Sequence, residues 1–455
     1  MIFGSNLSYF NDLDEVWEVG SLVDRKRDAG IGSLRYPGGE ETSRFHWEYP
    51  GVNGYVDLWN EAQHSQNWQS TWIPKDQWAT NESFMDFDEF VARAREVGAE
   101  PLVGINMTSG YKLDRLEDSI AEAVRWVQYA KDRSYGITYW YLDNEPWHRH
   151  PDNYHYIAPL EYARLCAQFA EAMSAVDPEA KFIANPFVGD AAGDWDQLAP
   201  FMRIAGEHID VIEFHWYWEF GTSSFERFLQ SRPLRFSSRW NPYWDSRTYV
   251  EMITETRRLL DDHGYDYIEI GALEWNIGPS RTGPAPSEQQ VALMQGEMFM
   301  QFVEGGLDMA CVWPGFYQIR DVDHPTEARA WFEYDPPHRP RAPLAVVDLL
   351  SDAAGGTVLH GGGVDTETSH PTLAVVSEDR RTIHLYLLNK DREPRTATVH
   401  VPEGSSAGAV TTRGFSVQGD DPATVTGLDT VEVTVRLAPF SLSRLDISMS
   451  TEITR

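Results

Sequence analysis

Two acidic side chains stand where a reaction could use them. In Tyr139-Trp140-Tyr141-Leu142-Asp143-Asn144-Glu145-Pro146-Trp147 an apolar run stops at Asn-Glu-Pro. In Ile270-Gly271-Ala272-Leu273-Glu274-Trp275-Asn276 another apolar run stops at a lone acid. Pro146 withdraws a backbone donor and helps close its strand, which leaves Glu145 at a rim. An acid beyond a buried strand must be exposed or paired, because isolated burial is costly. Two carboxyl groups facing each other across about 5–5.5 Å can split an acetal by double displacement. One, protonated, releases the leaving oxygen; the other, ionised, attacks the carbon. An aromatic wall such as Trp147 suits the protonated member by desolvating it. The expected roles are Glu145 as general acid/base and Glu274 as nucleophile at a glycosidic bond.

That chemistry requires elements that aim both acids into one bowl. Short apolar runs at 2–5, 32–36, 101–106, 138–142, 181–185, 211–216, 268–273 and 309–313 predict strands. Helical patterns alternate with them at 14–29, 86–97, 116–131, 160–175, 195–205, 249–262, 288–303 and 345–351. Phe90, Val91, Ala94 and Val97, for instance, share one helical face. Repeated β-then-α units argue for a closed (β/α)8 barrel, and no glycine fingerprint follows the first strand to favour a dinucleotide fold. Acids after strands four and seven then face each other across the barrel. The long connections from Pro37 to Met85 and from Tyr217 to Thr248 are rich in Trp, Tyr, Asn and Pro. They lie on the strand-end face and read as cleft walls. Beyond about residue 357 the pattern alternates with β-branched residues at 372–376, 382–388, 396–401, 409–412 and 431–437. The expected division is a barrel over 1–356 and a small antiparallel sandwich over 357–455. Gly361-Gly362-Gly363 lacks the helix and lysine of a phosphate cradle and reads as a turn.

The composition narrows the partners. Of 455 residues, 42% are apolar and 13% aromatic, ample for a large core. The formal charge of −32 repels phosphate backbones and anionic membranes, so nucleic acid and membrane are not expected partners. Trp59, Trp68, Trp72 and Trp78 fall in loop-like stretches, where an indole either stacks on a sugar or packs a loop. The two cysteines, Cys166 and Cys311, sit in apolar runs and read as buried thiols. No apolar run is long enough to span a bilayer. No basic start followed by an apolar stretch marks an export leader, so the chain as it stands reads cytoplasmic; a polymer substrate would argue for secretion.

These motifs resemble the clan of retaining glycoside hydrolases that carry acid/base on strand four and nucleophile on strand seven. The resemblance implies that Asn144 contacts the sugar's 2-hydroxyl. It also implies that Tyr217, in His215-Trp216-Tyr217, hydrogen-bonds the nucleophile, and that Arg35 keeps the nucleophile ionised. Trp313, in Val312-Trp313-Pro314, would floor the subsite of the cleaved sugar. Leu34-Arg35-Tyr36-Pro37-Gly38-Gly39, Phe45-His46-Trp47-Glu48, Glu274-Trp275-Asn276 and the stretch from Tyr162 to Pro178 are similar to family 51 α-L-arabinofuranosidases. Trp313-Pro314 and the aromatic loops are similar to family 86 β-agarases and β-porphyranases. The likeness covers the barrel, and the sandwich by position only. Asp143 departs from it, standing where many relatives have Gly, as does the His148-Arg149-His150 loop after Trp147.

Trp147 and Asn106 are expected to line the cleft with His215; Met107 and Asn6 also end strands. His148, His150, His155 and Asp152 could suggest a metal, but metal-dependent barrels usually carry His-x-His after strand one, which is absent here, so no metal or cofactor is expected. The expected activity is hydrolysis of a β-linked plant or algal poly- or oligosaccharide, as in agarases or porphyranases. The alternatives are an exo-acting α-L-arabinofuranosidase and a carbohydrate-binding protein that has lost catalysis.

Overall fold

The computed structural model describes residues 2–9, 12–18, 22–48, 57–60, 84–147, 155–186, 195–237, 245–280, 283–315, 327–333, 337–360, 364–366, 371–401, 407–429, 431–450 and 453. Parallel strands close into a barrel in chain order. They are β1 (Ile2–Asn6), β2 (Ser33–Tyr36), β3 (Glu100–Ile105), β4 (Tyr139–Leu142), β5 (Lys181–Ala184), β6 (Val211–Trp218), β7 (Glu269–Ile277) and β8 (Met309–Val312). β8 returns to β1, pairing Met309 with Ile2 through Val312 with Ser5.

The helices around it are α1 (Asp14–Glu18), α2 (Leu22–Asp28), α3 (Phe87–Val97), α4 (Thr108–Lys112), α5 (Leu116–Asp132), α6 (Pro159–Ser174), α7 (Trp195–Ala205), α8 (Phe225–Gln230), α9 (Tyr249–Asp262), α10 (Glu288–Gly305) and α11 (Ala342–Ala354). Reciprocal capping boxes start α3 (Asp86 with Glu89), α9 (Thr248 with Glu251) and α10 (Ser287 with Gln290), which satisfies backbone donors that an uncapped terminus would leave open. Of the helix expected over 14–29, α1 and α2 are described, and residues 19–21 between them lie outside the described residues.

Strand seven does not stop at Glu274 as the sequence suggested. β6 and β7 continue together past the rim, pairing His215 with Glu274 through Trp218 with Ile277, after a register shift that begins beyond Glu213. The barrel interior is filled by Leu102, Tyr139, Tyr141, Ile183, Val211, Leu273, Met309 and Cys311. Gly104 makes the room for Tyr141: a Cβ there would lie 2.1 Å from the Tyr141 ring.

The C-terminal sandwich stacks the sheets β10-β13-β16-β15 and β14-β17-β12-β11-β9. Their strands are β9 (Thr357–Val358), β10 (Val364–Thr366), β11 (Thr372–Val376), β12 (Thr382–Asn389), β13 (Arg395–His400), β14 (Ala407–Ser416), β15 (Ala423–Leu428), β16 (Glu432–Leu437) and β17 (Ser441–Met449). Residues 291–303 of α10 are all buried, the polar Gln295, Glu297 and Gln301 among them, so the helix is covered all round. A Cβ at its Gly296 would meet Leu442 of the sandwich and Val346 of α11. Gly361-Gly362-Gly363 lies outside the described residues. Among the described residues, no helix is long and apolar enough to cross a membrane.

Candidate active site

Arg35 organises the strand ends. It is fully buried on β2, with its guanidinium 4.2 Å over the ring of Tyr141. Nη1 donates to Asn6 Oδ1 at 2.8 Å and to Glu274 Oε1 at 3.0 Å; Nη2 donates to Asn144 Oδ1 at 2.7 Å. Asn6 is pinned in turn, its Nδ2 donating to the carbonyls of Leu273 and Val312 at 2.8 and 3.0 Å. One cation thus ties the ends of β1 and β2 to the segments carrying both acids.

Glu274 receives a second donor, Tyr217 Oη to Oε2 at 2.8 Å. Burial lifts its pKa above the ordinary carboxylate range. His215 and Arg35 oppose that, the Glu145 charge adds to it, and the Tyr217 hydroxyl opposes it. Glu145 is more open, with 18% of its side chain exposed, and its Oε1 lies 2.7 Å from Nδ1 of His215. The same Nδ1 is 3.4 Å from Oε2 of Glu274. Burial alone would lower the pKa of His215, but the Glu213, Glu274 and Glu145 carboxylates outweigh it and push it up to about 10.

The backbone around the acid/base candidate is unusual. Asp143 and Glu145 have φ of 68° and 47°, the left-handed region that side chains seldom occupy. Asp143 is held there by its bonds. Its Oδ2 accepts from the amides of Met107 and Thr108, capping α4, while Oδ1 accepts from Ser43 Oγ and the Asn144 amide. A glycine at this position could supply none of these contacts.

The other sequence candidates separate. Trp147 donates through Nε1 to Asn185 Oδ1. The rim at Trp313 crowds Gly39: a Cβ on Gly39 would sit 3.0 Å from Glu274 Oε1 and 3.4 Å from Trp313 Cη2. Asn106 is not brought to the carboxylates. Its Nδ2 donates to Phe45 O and Ser109 Oγ, and its Oδ1 accepts from Ser109 N, so it is engaged at the start of α4. His155 is buried 3.4 Å from Arg44 Nη2 and 3.6 Å from Glu40. Trp59 lies between His46 and Arg115, as loop packing requires. Trp68, Trp72, Trp78, His148, His150 and Asp152 lie outside the described residues. Sequence reasoning passed over Glu213, Asn185, Gly39 and Tyr141. The first was hidden inside a run read as a buried strand, although a Glu in such a run is itself a signal.

One oxygen each of Glu145 and Glu274, with a ring nitrogen of His215, lie within 4.8 Å of one another. Relatives in sequence are α-L-arabinofuranosidases. The chain is 25% identical over 220 residues to a probable α-L-arabinofuranosidase C of Aspergillus fumigatus, covering 43% of this chain and 39% of that one. It is 27% identical over 235 residues to an intracellular exo-α-(1→5)-L-arabinofuranosidase of Streptomyces lividans, covering 46% and 31%. The chain therefore spans less than half the length of these curated relatives. No protein-family model matches it. Among solved structures, an α-L-arabinofuranosidase from Thermotoga maritima in complex with arabinose superposes with a TM-score of 0.68 at 17% identity, over 98% of this chain and 96% of that one. That likeness establishes the barrel-and-sandwich fold.

Proposed function

We propose that this protein is a retaining glycoside hydrolase that cleaves α-L-arabinofuranosidic bonds. The observation that carries the reading is the Glu145–Glu274 approach to within 4.8 Å. Retaining enzymes hold their carboxyl groups about 5–5.5 Å apart, whereas inverting ones need about 6.5–9.5 Å to admit a water. Glu145 gives its proton to the leaving oxygen while Glu274 attacks the anomeric carbon and forms a glycosyl ester. Glu145 then takes a proton from water, which displaces Glu274 and releases the sugar with its original configuration. Arg35 and Tyr217 hold the attacking carboxylate in place. Because Arg35 claims the amide oxygen of Asn144, the Asn144 NH2 is turned toward a sugar hydroxyl. Trp313 and Trp147 supply aromatic walls.

The names of the sequence relatives support the arabinofuranoside reading. The β-agarase or porphyranase reading, drawn from Trp313-Pro314 and the aromatic loops, gains no support from them and gives way. A binding protein without catalysis would have no use for two donors fixed on Glu274. The test is release of L-arabinose from arabinan and aryl α-L-arabinofuranosides, beside agar, porphyran and xylan, with the anomer followed by NMR. Glu274→Ala is expected to lose turnover by at least about 10⁴-fold, and azide to restore part of the activity of Glu145→Ala on an activated glycoside. Inversion of configuration, or full activity in either variant, would overturn the mechanism.

A further inference from the structure

A third carboxylate lies inside the barrel beneath the two reacting ones. Glu213 of β6 is 1% exposed. Its Oε1 accepts from Asn185 Nδ2 at 2.6 Å and its Oε2 from the Leu273 amide at 3.3 Å, so both oxygens face donors, as an ionised carboxylate requires. Oε1 also lies 3.2 Å from Nε2 of His215, close enough for an ion pair though off the ideal hydrogen-bond direction. Across the ring, Nδ1 faces Glu145 at 2.7 Å and Glu274 at 3.4 Å. A neutral imidazole carries one N–H and must turn a lone pair toward a carboxylate on its other edge. With Glu213 beside Nε2 and Glu274 beside Nδ1, the imidazolium is the form that turns no lone pair toward an anion.

We infer that Glu213 is a positioning residue: it keeps His215 a cation, and that cation stabilises the Glu145 carboxylate that forms as the proton leaves for the glycosidic oxygen. The inference rests on the acid/base role proposed above for Glu145. In that step the Glu145 proton goes to the leaving oxygen, which also takes the electrons of the broken C–O bond, and Glu274 forms the new bond to carbon. His215 keeps both its protons. Negative charge develops on Glu145 beside a fixed positive donor, the arrangement that lowers a barrier most. The charges balance: with Glu145 protonated, the cations Arg35 and His215 meet the anions Glu213 and Glu274. The ionisable groups facing Glu213 and His215 are Arg35 of β2, Glu145 beyond β4, Glu274 of β7 and Cys311 of β8. Asn185 links the network onward, since it also accepts from Trp147, two residues past Glu145.

The test compares Glu213→Gln with the wild type on two α-L-arabinofuranosides. A dinitrophenyl glycoside needs no proton to leave; an alkyl glycoside does. For the variant, kcat/KM on the alkyl glycoside is expected to fall on the order of 10- to 100-fold, and on the dinitrophenyl glycoside by less than about 3-fold. A new ionisation should also enter the profile near the ordinary His value of about 6.5. Equal losses on both substrates with an unmoved pH profile, or no loss on either, would overturn the assignment. Should the variant not fold, nitrogen NMR of 15N-histidine-labelled wild type decides: both ring nitrogens of His215 are expected to be protonated at about pH 7, and a neutral ring there overturns the inference. Full turnover of both glycosides by Glu274→Ala would sink the two-carboxylate reading itself, whatever Glu213→Gln does.

Discussion

At the residue scale, one carboxylate is made available by its neighbours. Burial works against ionising Glu274, and His215, Arg35 and Tyr217 each pull the other way. Glu274 must be ionised to attack, so activity rises as pH passes its pKa, which sits above the ordinary carboxylate value. Tyr217→Phe removes the 2.8 Å donor from Oε2 and leaves the two cations. The acid limb of kcat/KM is therefore expected to move upward by about one pH unit, the equivalent of about 1.4 kcal/mol of lost hydrogen bonding to the charged form. An acid limb that stays put or moves down would show that the Tyr217 hydroxyl does not bear on this ionisation. The positive φ values at Asp143 and Glu145 belong to the same scale. Backbone held in a rarely populated region clusters at working sites because the surroundings over-determine it, and here Asp143's bonds to Ser43, Met107, Thr108 and Asn144 do so.

At the scale of elements, the connection after β2 is fastened by a charged latch. His46 presents Nδ1 to Glu122 of α5 at 2.9 Å and Nε2 to Asp57 at 3.1 Å. Burial opposes its charge, but the hydrogen bonds to Asp57 and Glu122 prevail and push its pKa up to about 9. A raised histidine pKa gives stability that is complete below the unfolded value of about 6.5 and is lost as pH rises through about 9. Its upper bound is about 3 kcal/mol. The gap in thermal midpoint between wild type and His46→Gln should thus be widest near about pH 6 and narrow by about pH 10; a constant gap would show that His46 acts through packing alone. The latch also shows what was legible in the sequence. Phe45-His46-Trp47-Glu48 carried part of the family resemblance, yet its contacts are structural: Trp47 donates to Glu122 O and Glu48 pairs with Arg125. The barrel strands were readable because a strand buried on both faces is a plain apolar run. α4 and α8 were not, being too short to show a period. β17 was missed because Arg444, buried against Asp446 and Asp352, interrupts its apolar alternation. Glu145 and Glu274 were readable as acids closing apolar runs, although β7 continues past Glu274, and Arg35 and Tyr217 were readable only through the family resemblance. Glu213 lies deeper, where position along a strand does not reveal which face a residue takes.

At the scale of the whole molecule, the sandwich grips the barrel beside the wall that follows β6. Lys390, after β12, and Glu297 of α10 form a 2.7 Å ion pair with both side chains fully buried. The Lys390 ammonium also donates to Ser231 O, just past α8, and lies 3.8 Å over the ring of Phe228. Arg232 adds a pair with Asp391, and Phe225 packs edge-on against Phe440. Sandwich, α10 and α8 therefore meet at one buried charge. Burial outweighs attraction for both partners, holding Glu297 above and Lys390 below their ordinary values. Such a pair adds little over an apolar pair but costs a great deal when halved, because an uncompensated charge remains inside. Lys390→Met is expected to lose about 3–5 kcal/mol. Glu297→Gln added to it should recover part of that loss, since the amide removes the stranded charge and keeps an acceptor for the Leu234 amide, now 2.6 Å from Oε1. Thermal unfolding of the wild type, Lys390→Met and the double variant checks the order. A double variant less stable than Lys390→Met would mean that the carboxylate is held by something other than the lysine, and that the sandwich does not brace the β6 wall through this charge.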